Sequence, residues 1–162
     1  MAAVRFASPI GELVITASDA GLTGVWFPGT GKVPAGRADG RGPASALLAR
    51  ACDQLAQYFS RIRTTFDIPL DAPGTAFQRR VWDVLRTIPY GTTRSYSDLA
   101  RRLGDLRLTR AVGAANGKNP IPIIVPCHRV VGANGALTGF GGGLDRKRWL
   151  LEHEGALMML GS

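Results

Sequence analysis

Short β-rich runs occupy the first 27 residues, and a helical spacing of apolar positions takes over after residue 43. Residues 4–7, 12–17 and 22–27 predict strands, joined by Ser-Pro-Ile-Gly and by Asp19-Ala20-Gly21, residue types that favour turns. Together they form a small antiparallel meander. Glycine and proline crowd residues 28–43, which predicts a loop. In residues 44–60, Leu47, Leu48, Ala51, Cys52, Leu55, Tyr58 and Phe59 share one helical face, so a helix is expected to cover one side of the sheet. Residues 64–68 return as an extended segment, and Asp71-Ala72-Pro73-Gly74 is a turn and a domain boundary.

The second half is patterned for helices. Thr75-Ala76-Phe77-Gln78 is a capping box, and the helix it starts carries Phe77, Val81, Trp82, Leu85 and Ile88 on one face. Ser95-Tyr96-Ser97-Asp98 is a second helix start, followed by Leu99, Ala100 and Leu103 inward and closed by Gly104. A short turn then leads to a helix over residues 109–116 with the small residues Gly113, Ala114 and Ala115. Helix, short Gly-containing turn and helix is the helix-turn-helix arrangement, although an ordinary helical hairpin fits the same pattern. Asn134-Gly135 predicts a tight hairpin turn. Residues 139–143 form a glycine-rich loop with one aromatic, without a nucleotide-phosphate fingerprint. The last helix, residues 144–153, is expected to place Leu144, Leu150 and Leu151 inward and Arg146, Lys147 and Arg148 outward. His153 is read as an exposed helix-end residue, and Trp82 and Trp149 as core packing. The whole reads as α+β: an N-terminal support domain over residues 1–74 and a mainly helical domain over 75–162.

Charge separates the halves. Residues 76–162 hold 13 Lys/Arg against 6 Asp/Glu, whereas residues 1–75 hold 7 against 6. A basic surface on one domain is the footprint of a nucleic-acid binder, or else a compositional bias toward Arg. With only two Cys and two His in 162 residues, a four-ligand zinc site is not expected. The N-terminal residues lack the layout of a signal peptide and no apolar run suits a membrane span, so a cytoplasmic protein without membrane association is expected.

The chemistry concentrates in Ile123-Ile124-Val125-Pro126-Cys127-His128-Arg129-Val130-Val131. A β-branched run that stops at a Pro-Cys bend sets a sulfur on stiff backbone at the edge of a core. A neighbouring base or positive charge favours the thiolate, which is the nucleophilic form. A buried, inert cysteine fits these neighbours equally well.

Pro126-Cys127-His128-Arg129-Val130 is preceded by Arg110-Ala111-Val112-Gly113 and Asn119-Pro120, and followed by Trp149-Leu150-Leu151-Glu152-His153-Glu154-Gly155. In order and spacing this set resembles the O6-alkylguanine-DNA alkyltransferases, also called methylated-DNA–protein-cysteine methyltransferases. The match is close over residues 77–155 and holds in outline over 1–74. The resemblance implies repair of O6-alkylguanine by flipping the base and moving the alkyl group irreversibly to Cys127, in one turnover and with no cofactor or metal. It implies that His128 deprotonates Cys127 through a water, that Glu154 orients His128, and that Asn119 holds the active-site turn. Tyr96 would hydrogen-bond the flipped guanine, and Arg110 would fill the gap left in the base stack. The carbonyls of Cys127 and Val130 would read the guanine amine, and the Gly141 N–H would meet O6. Ala111, Gly113 and Ala114 on the second helix would enter the minor groove of double-stranded DNA, with the protein a monomer in solution and cooperativity on DNA left open. Phe140 stands where much of the family has Tyr, so one polar contact in the base pocket is expected to be lost. Two other readings are a lesion-binding or lesion-sensing module without transfer, which in this family lacks the acceptor cysteine, and a Cys-His-Glu hydrolase, which the basic face disfavours.

Overall fold

The computed structural model describes residues 2–31, 33, 34, 36 and 40–157. Residues 32, 35 and 37–39 of the expected loop, and 158–162 of the tail, lie outside the described residues. The chain divides into two compact units. One holds the residues up to Pro73 together with Pro120–Ile124; the other holds Gly74–Asn119 and the chain from Val125 on. Pro120–Ile124 therefore depart from a contiguous division at residue 74. They are drawn into the first unit, where the Val25 N–H donates to the Pro120 carbonyl at 2.9 Å.

In the first unit β1 (Ala2–Ser8), β2 (Gly11–Ala17) and β3 (Leu22–Trp26) form an antiparallel meander in the order β1-β2-β3. β1 pairs with β2 from Ala2 opposite Ala17 to Ser8 opposite Gly11, and the β2–β3 pairing shifts register at Thr16/Ala17. Helix α1 (Gly42–Phe59) packs on β1 and β2 through the expected face, with Leu48, Ala51, Leu55 and Tyr58 buried. Cys52 is only half-buried on that face. Gln54 is buried as well: its amide donates to the Asp67 carbonyl at 3.1 Å and accepts the Asp67 N–H at 2.9 Å. That reciprocal pair holds the 64–68 segment, which forms no strand; Leu70 alone bridges to Leu22. Ile123 is 1% exposed and has φ +74°, a left-handed backbone that a β-branched residue adopts only under strain.

In the second unit α2 (Ala76–Leu85), α3 (Tyr96–Arg102) and α4 (Thr109–Gly117) pack on one another. Both expected capping boxes form, Thr75 with Gln78 and Ser95 with Asp98. The Trp82 indole N–H donates to the Ala115 carbonyl at 2.8 Å in the interior and ties α2 to α4. Between α3 and α4 lie Gly104 at φ +96° and a 3-10 turn, Leu106–Leu108, capped by Asp105. Two-residue strands β4 (Arg94–Ser95) and β5 (Val130–Val131) pair in parallel, and α5 (Leu144–His153) closes the unit. Among the described residues no helix is long and apolar enough to cross a membrane.

Three expectations are corrected here. Asn134-Gly135 does make a tight turn, with Gly132 N–H to Ala136 O at 2.8 Å, but no hairpin follows. β5 pairs instead with β4, leaving the carbonyls after the turn free for other donors. On α5, Lys147 is fully buried and Leu144 is 49% exposed, the reverse of the expected faces. Lys147, Leu150, Leu151 and Glu154 sit at i, i+3, i+4 and i+7, so helical spacing alone puts Lys147 inward. His153 is buried rather than exposed, its ring stacked on Trp149 with centroids 4.8 Å apart.

Candidate active site around Cys127

Backbone geometry presents the cysteine. Pro126, at φ −82° and ψ 63°, makes an inverse γ-turn in which the Cys127 N–H donates to the Val125 carbonyl at 2.8 Å. The Asn119 amide donates to that same carbonyl, also at 2.8 Å, so one side chain six residues upstream fixes the bend. A single 3-10 turn, Cys127–Arg129, follows and leads directly into β5.

Cys127 is 5% exposed. Burial pushes its thiol up to about 11, against a hydrogen bond from Asn119 and the charge of Lys147, which both pull it down. At neutral pH only about one thiol in ten thousand is then ionised, so an attacking thiolate needs a base close by.

The neighbouring residue is in the state that such a base requires. His128 is completely buried, and its Nε2 lies 2.8 Å from Glu154 Oε2. Burial holds the ring below its ordinary range despite the Glu154 hydrogen bond, with the Arg129 and Lys147 charges acting in the same direction. His128 is therefore neutral at pH 7. Burial alone would push the Glu154 carboxyl up, but the His128 hydrogen bond and the hydrogen bonds and charge of Arg129 overcome it and hold it well below the usual carboxylate range. An ionised carboxylate only accepts, so Nε2 carries the ring proton and the lone pair falls on Nδ1. Nδ1 has no hydrogen-bond partner among the described residues.

Arg129 is the group that reading the residues in order passed over. It is 6% exposed, and its guanidinium donates Nε to Glu154 Oε1 at 2.8 Å, Nη2 to Oε2 at 3.0 Å and Nη1 to the Ile88 carbonyl at 2.7 Å. Its planar cation also lies 5.7 Å from the centre of the Tyr90 ring. The positive charge beside Cys127 thus serves Glu154 rather than the sulfur. The signal was present: a cation inside a β-branched run that must be buried requires a carboxylate, and Glu154 is the acidic residue at the end of the last helix.

The remaining residues spread around this core. Tyr96 opens α3, and its hydroxyl lies 2.8 Å from Thr138 Oγ1. Gly113, half-buried on α4, faces that ring: a Cβ built there would sit 3.7 Å from Tyr96 Cδ1. Arg110, Ala111 and Ala114 lie on the exposed side of α4. Val130 is fully buried, and its carbonyl accepts from Lys147 Nζ at 2.6 Å. Phe140 is half-buried, Gly141 is exposed, and a Cβ added at Gly141 would meet nothing within 4 Å.

Similarity to known proteins extends over nearly the whole chain. Residues 76–156 match the family described as 6-O-methylguanine DNA methyltransferase, DNA binding domain. Residues 5–72 match the 6-O-methylguanine DNA methyltransferase, ribonuclease-like domain. A methylated-DNA–protein-cysteine methyltransferase of Mycolicibacterium paratuberculosis is 50% identical over 147 residues, covering 91% of this chain and 88% of that one. One from Methanosarcina acetivorans is 45% identical over 151 residues, 93% and 96% of the two chains. The crystal structure of Mycobacterium tuberculosis OGT in complex with DNA superposes with a TM-score of 0.86 at 47% identity, covering 96% of this chain and 94% of that one. The chain belongs to the 6-O-methylguanine DNA methyltransferase family.

Proposed function

We propose that this protein repairs O6-alkylguanine in duplex DNA by moving the alkyl group to its own Cys127. The observation that carries the reading is the buried run Cys127, His128, Glu154 and Arg129, in which a neutral imidazole beside the cysteine is kept in one tautomer by an ionised carboxylate. Tyr96, Arg110 and the exposed residues of α4 form the DNA-facing side.

The step begins with loss of the Cys127 S–H proton through a water to His128 Nδ1. Glu154, held ionised by Arg129, stabilises the imidazolium that results. The sulfur then attacks the alkyl carbon on O6. A C–S bond forms, the C–O6 bond breaks, and its electron pair leaves on the guanine, which takes a proton from the Tyr96 hydroxyl; Tyr96 regains one from solvent as His128 releases the proton it took. The product is a thioether, with no carbonyl for water to attack, so the protein acts once. A target atom inside a duplex is reached only by extruding its nucleotide, which costs a few kcal/mol. Arg110, exposed at the start of α4, is the residue that fills the gap as that helix enters the minor groove.

Intact mass and peptide mapping after incubation with an O6-methylguanine duplex test the reading. One methyl group per chain, on the peptide that contains Cys127 and absent from Cys127→Ser, is the expected result. Duplex binding with no mass gain would refute it.

A further inference from the structure

Lys147 is the second buried cation of the site. It is fully buried, and no carboxylate pairs with it among the described residues. Lysine is almost never so buried without a partner. Its partners here are backbone carbonyls: Nζ donates to Val130 at 2.6 Å, to Thr138 at 2.5 Å and to Gly139 at 3.4 Å. These carbonyls come from two separate places, β5 and the loop after the Asn134-Gly135 turn. The Thr138 hydroxyl, in turn, meets the Tyr96 hydroxyl at 2.8 Å. One ammonium therefore joins β5 to the loop that continues into Phe140 and Gly141.

We propose that Lys147 is a positioning residue for the flipped base, its ammonium clamping the Thr138–Gly139 backbone to the Val130 carbonyl and so setting the width of the pocket that receives the alkylated guanine. This rests on the preceding reading that Val130, Tyr96 and the Phe140–Gly141 loop line that pocket. A carbonyl oxygen has two lone pairs, so Val130 can hold the ammonium and still accept from a base amine. Charge-assisted hydrogen bonds are the stronger kind, and the ammonium's three donors match three acceptors.

The clamp is sensitive to pH. Burial pulls the Lys147 ammonium down to about 8, with the Cys127 thiol opposing that shift. The other titratable groups bearing on it are the His128 ring and, through Thr138, the Tyr96 phenol. The clamp carries its charge below pH about 8 and is weakened above it, where a neutral amine keeps two of the three donors. Thiol ionisation works in the opposite direction, since a thiol at about 11 gives more thiolate as pH rises.

Two measurements between pH 7 and 9.5 test the proposal on the wild-type protein, Lys147→Gln and Lys147→Arg. One is amide hydrogen exchange of the peptide containing residues 136–143 without DNA, corrected for intrinsic exchange. The other is the second-order rate of methyl transfer from an O6-methylguanine duplex, with duplex affinity measured alongside. In the wild type, loop protection and transfer rate are expected to fall together, on the order of tenfold, as pH passes about 8, while affinity stays within twofold. Lys147→Gln should show the loss already at pH 7, and Lys147→Arg should remove the alkaline fall. Loop protection and rate that hold through pH 9.5 in the wild type would overturn the proposal, even if neither variant folds. A fall that persists in Lys147→Arg would assign it to another group and overturn the proposal equally. A loop that loosens while the rate holds would reduce Lys147 to a structural role. Absence of methyl transfer at every pH would remove the repair reading itself, while the exchange data still report on the clamp.

Discussion

Replacing Arg129 by Met removes one charge from a buried pair while keeping most of the side-chain volume. Three hydrogen bonds go with it, two to Glu154 and one to the Ile88 carbonyl, at 2.7–3.0 Å. Glu154 keeps only His128 as a partner among these bonds, in a site where both side chains are fully buried. Removing one partner of a buried pair destabilises by about 3–5 kcal/mol. At roughly 2–4 °C per kcal/mol for a chain of this size, the Tm falls by about 6–20 °C. The variant also has a route to relief that the wild type does not need: the His128–Glu154 pair takes up a proton. Its native state then binds more protons than the native wild type, so the stability deficit is smallest at acid pH and grows as pH rises through the apparent pKa of the pair. That proton removes the free base, and general-base catalysis contributes roughly 10²–10⁴-fold. Methyl transfer by Arg129→Met at pH 6.5 is therefore expected to fall on the order of 100-fold and to recover in part toward pH 8.5. Urea titrations across pH 5.5–8.5 and single-turnover rates on an O6-methylguanine duplex measure both effects. A Tm within about 2 °C of wild type, or a deficit that shrinks as pH rises, would refute the view that Arg129 keeps Glu154 ionised.

Asn119→Ala removes the hydrogen bond that steadies the Val125 carbonyl and the one that helps hold the Cys127 thiol down. The thiol is expected to rise further above about 11, so the pH profile of Cys127 alkylation by iodoacetamide moves to higher pH; an unmoved profile would count against the role. Arg110→Ala leaves the Cys127 site untouched, because Arg110 is exposed on α4. Transfer from duplex DNA is expected to fall about tenfold or more, with free O6-alkylguanine affected less than twofold, since only the duplex must be opened. Equal losses on both substrates would exclude Arg110 as the wedge.

The fold was legible where a local rule decides it. Thr75 with Gln78 and Ser95 with Asp98 announce helix starts through side-chain oxygens that reach backbone donors three residues away, and both form. The face of α1 was legible from spacing, and the meander from its turns. Pro120–Ile124 were not, because which unit a segment joins depends on long-range pairing such as Val25 to Pro120, and no local pattern encodes that. The Asn134-Gly135 turn shows the same division: its turn chemistry is local and holds, whereas the partner of β5 is set from 36 residues away.

Cys127, His128 and Glu154 were legible from motif order, but the two cations that set their electrostatics were not. Lys147 was assigned to the outer face of its helix by charge, and Arg129 was assigned no role. Spacing said otherwise for Lys147, which shares a stripe with Leu150, Leu151 and Glu154. The conflict between those two indicators was itself informative. A cation that helical spacing turns inward must find acceptors, and desolvation makes its burial unfavourable unless it does. Arg129 finds a carboxylate, and its charge is absorbed locally to keep His128 a neutral base. Lys147 finds only carbonyls, so its charge stays uncompensated beside the Cys127 sulfur, where it favours the thiolate. The two buried cations thus act on opposite members of the proton-transfer pair. On the proposed reading, Arg129 keeps Glu154 ionised and His128 neutral, ready to accept the proton, and Lys147 favours the sulfur that loses it.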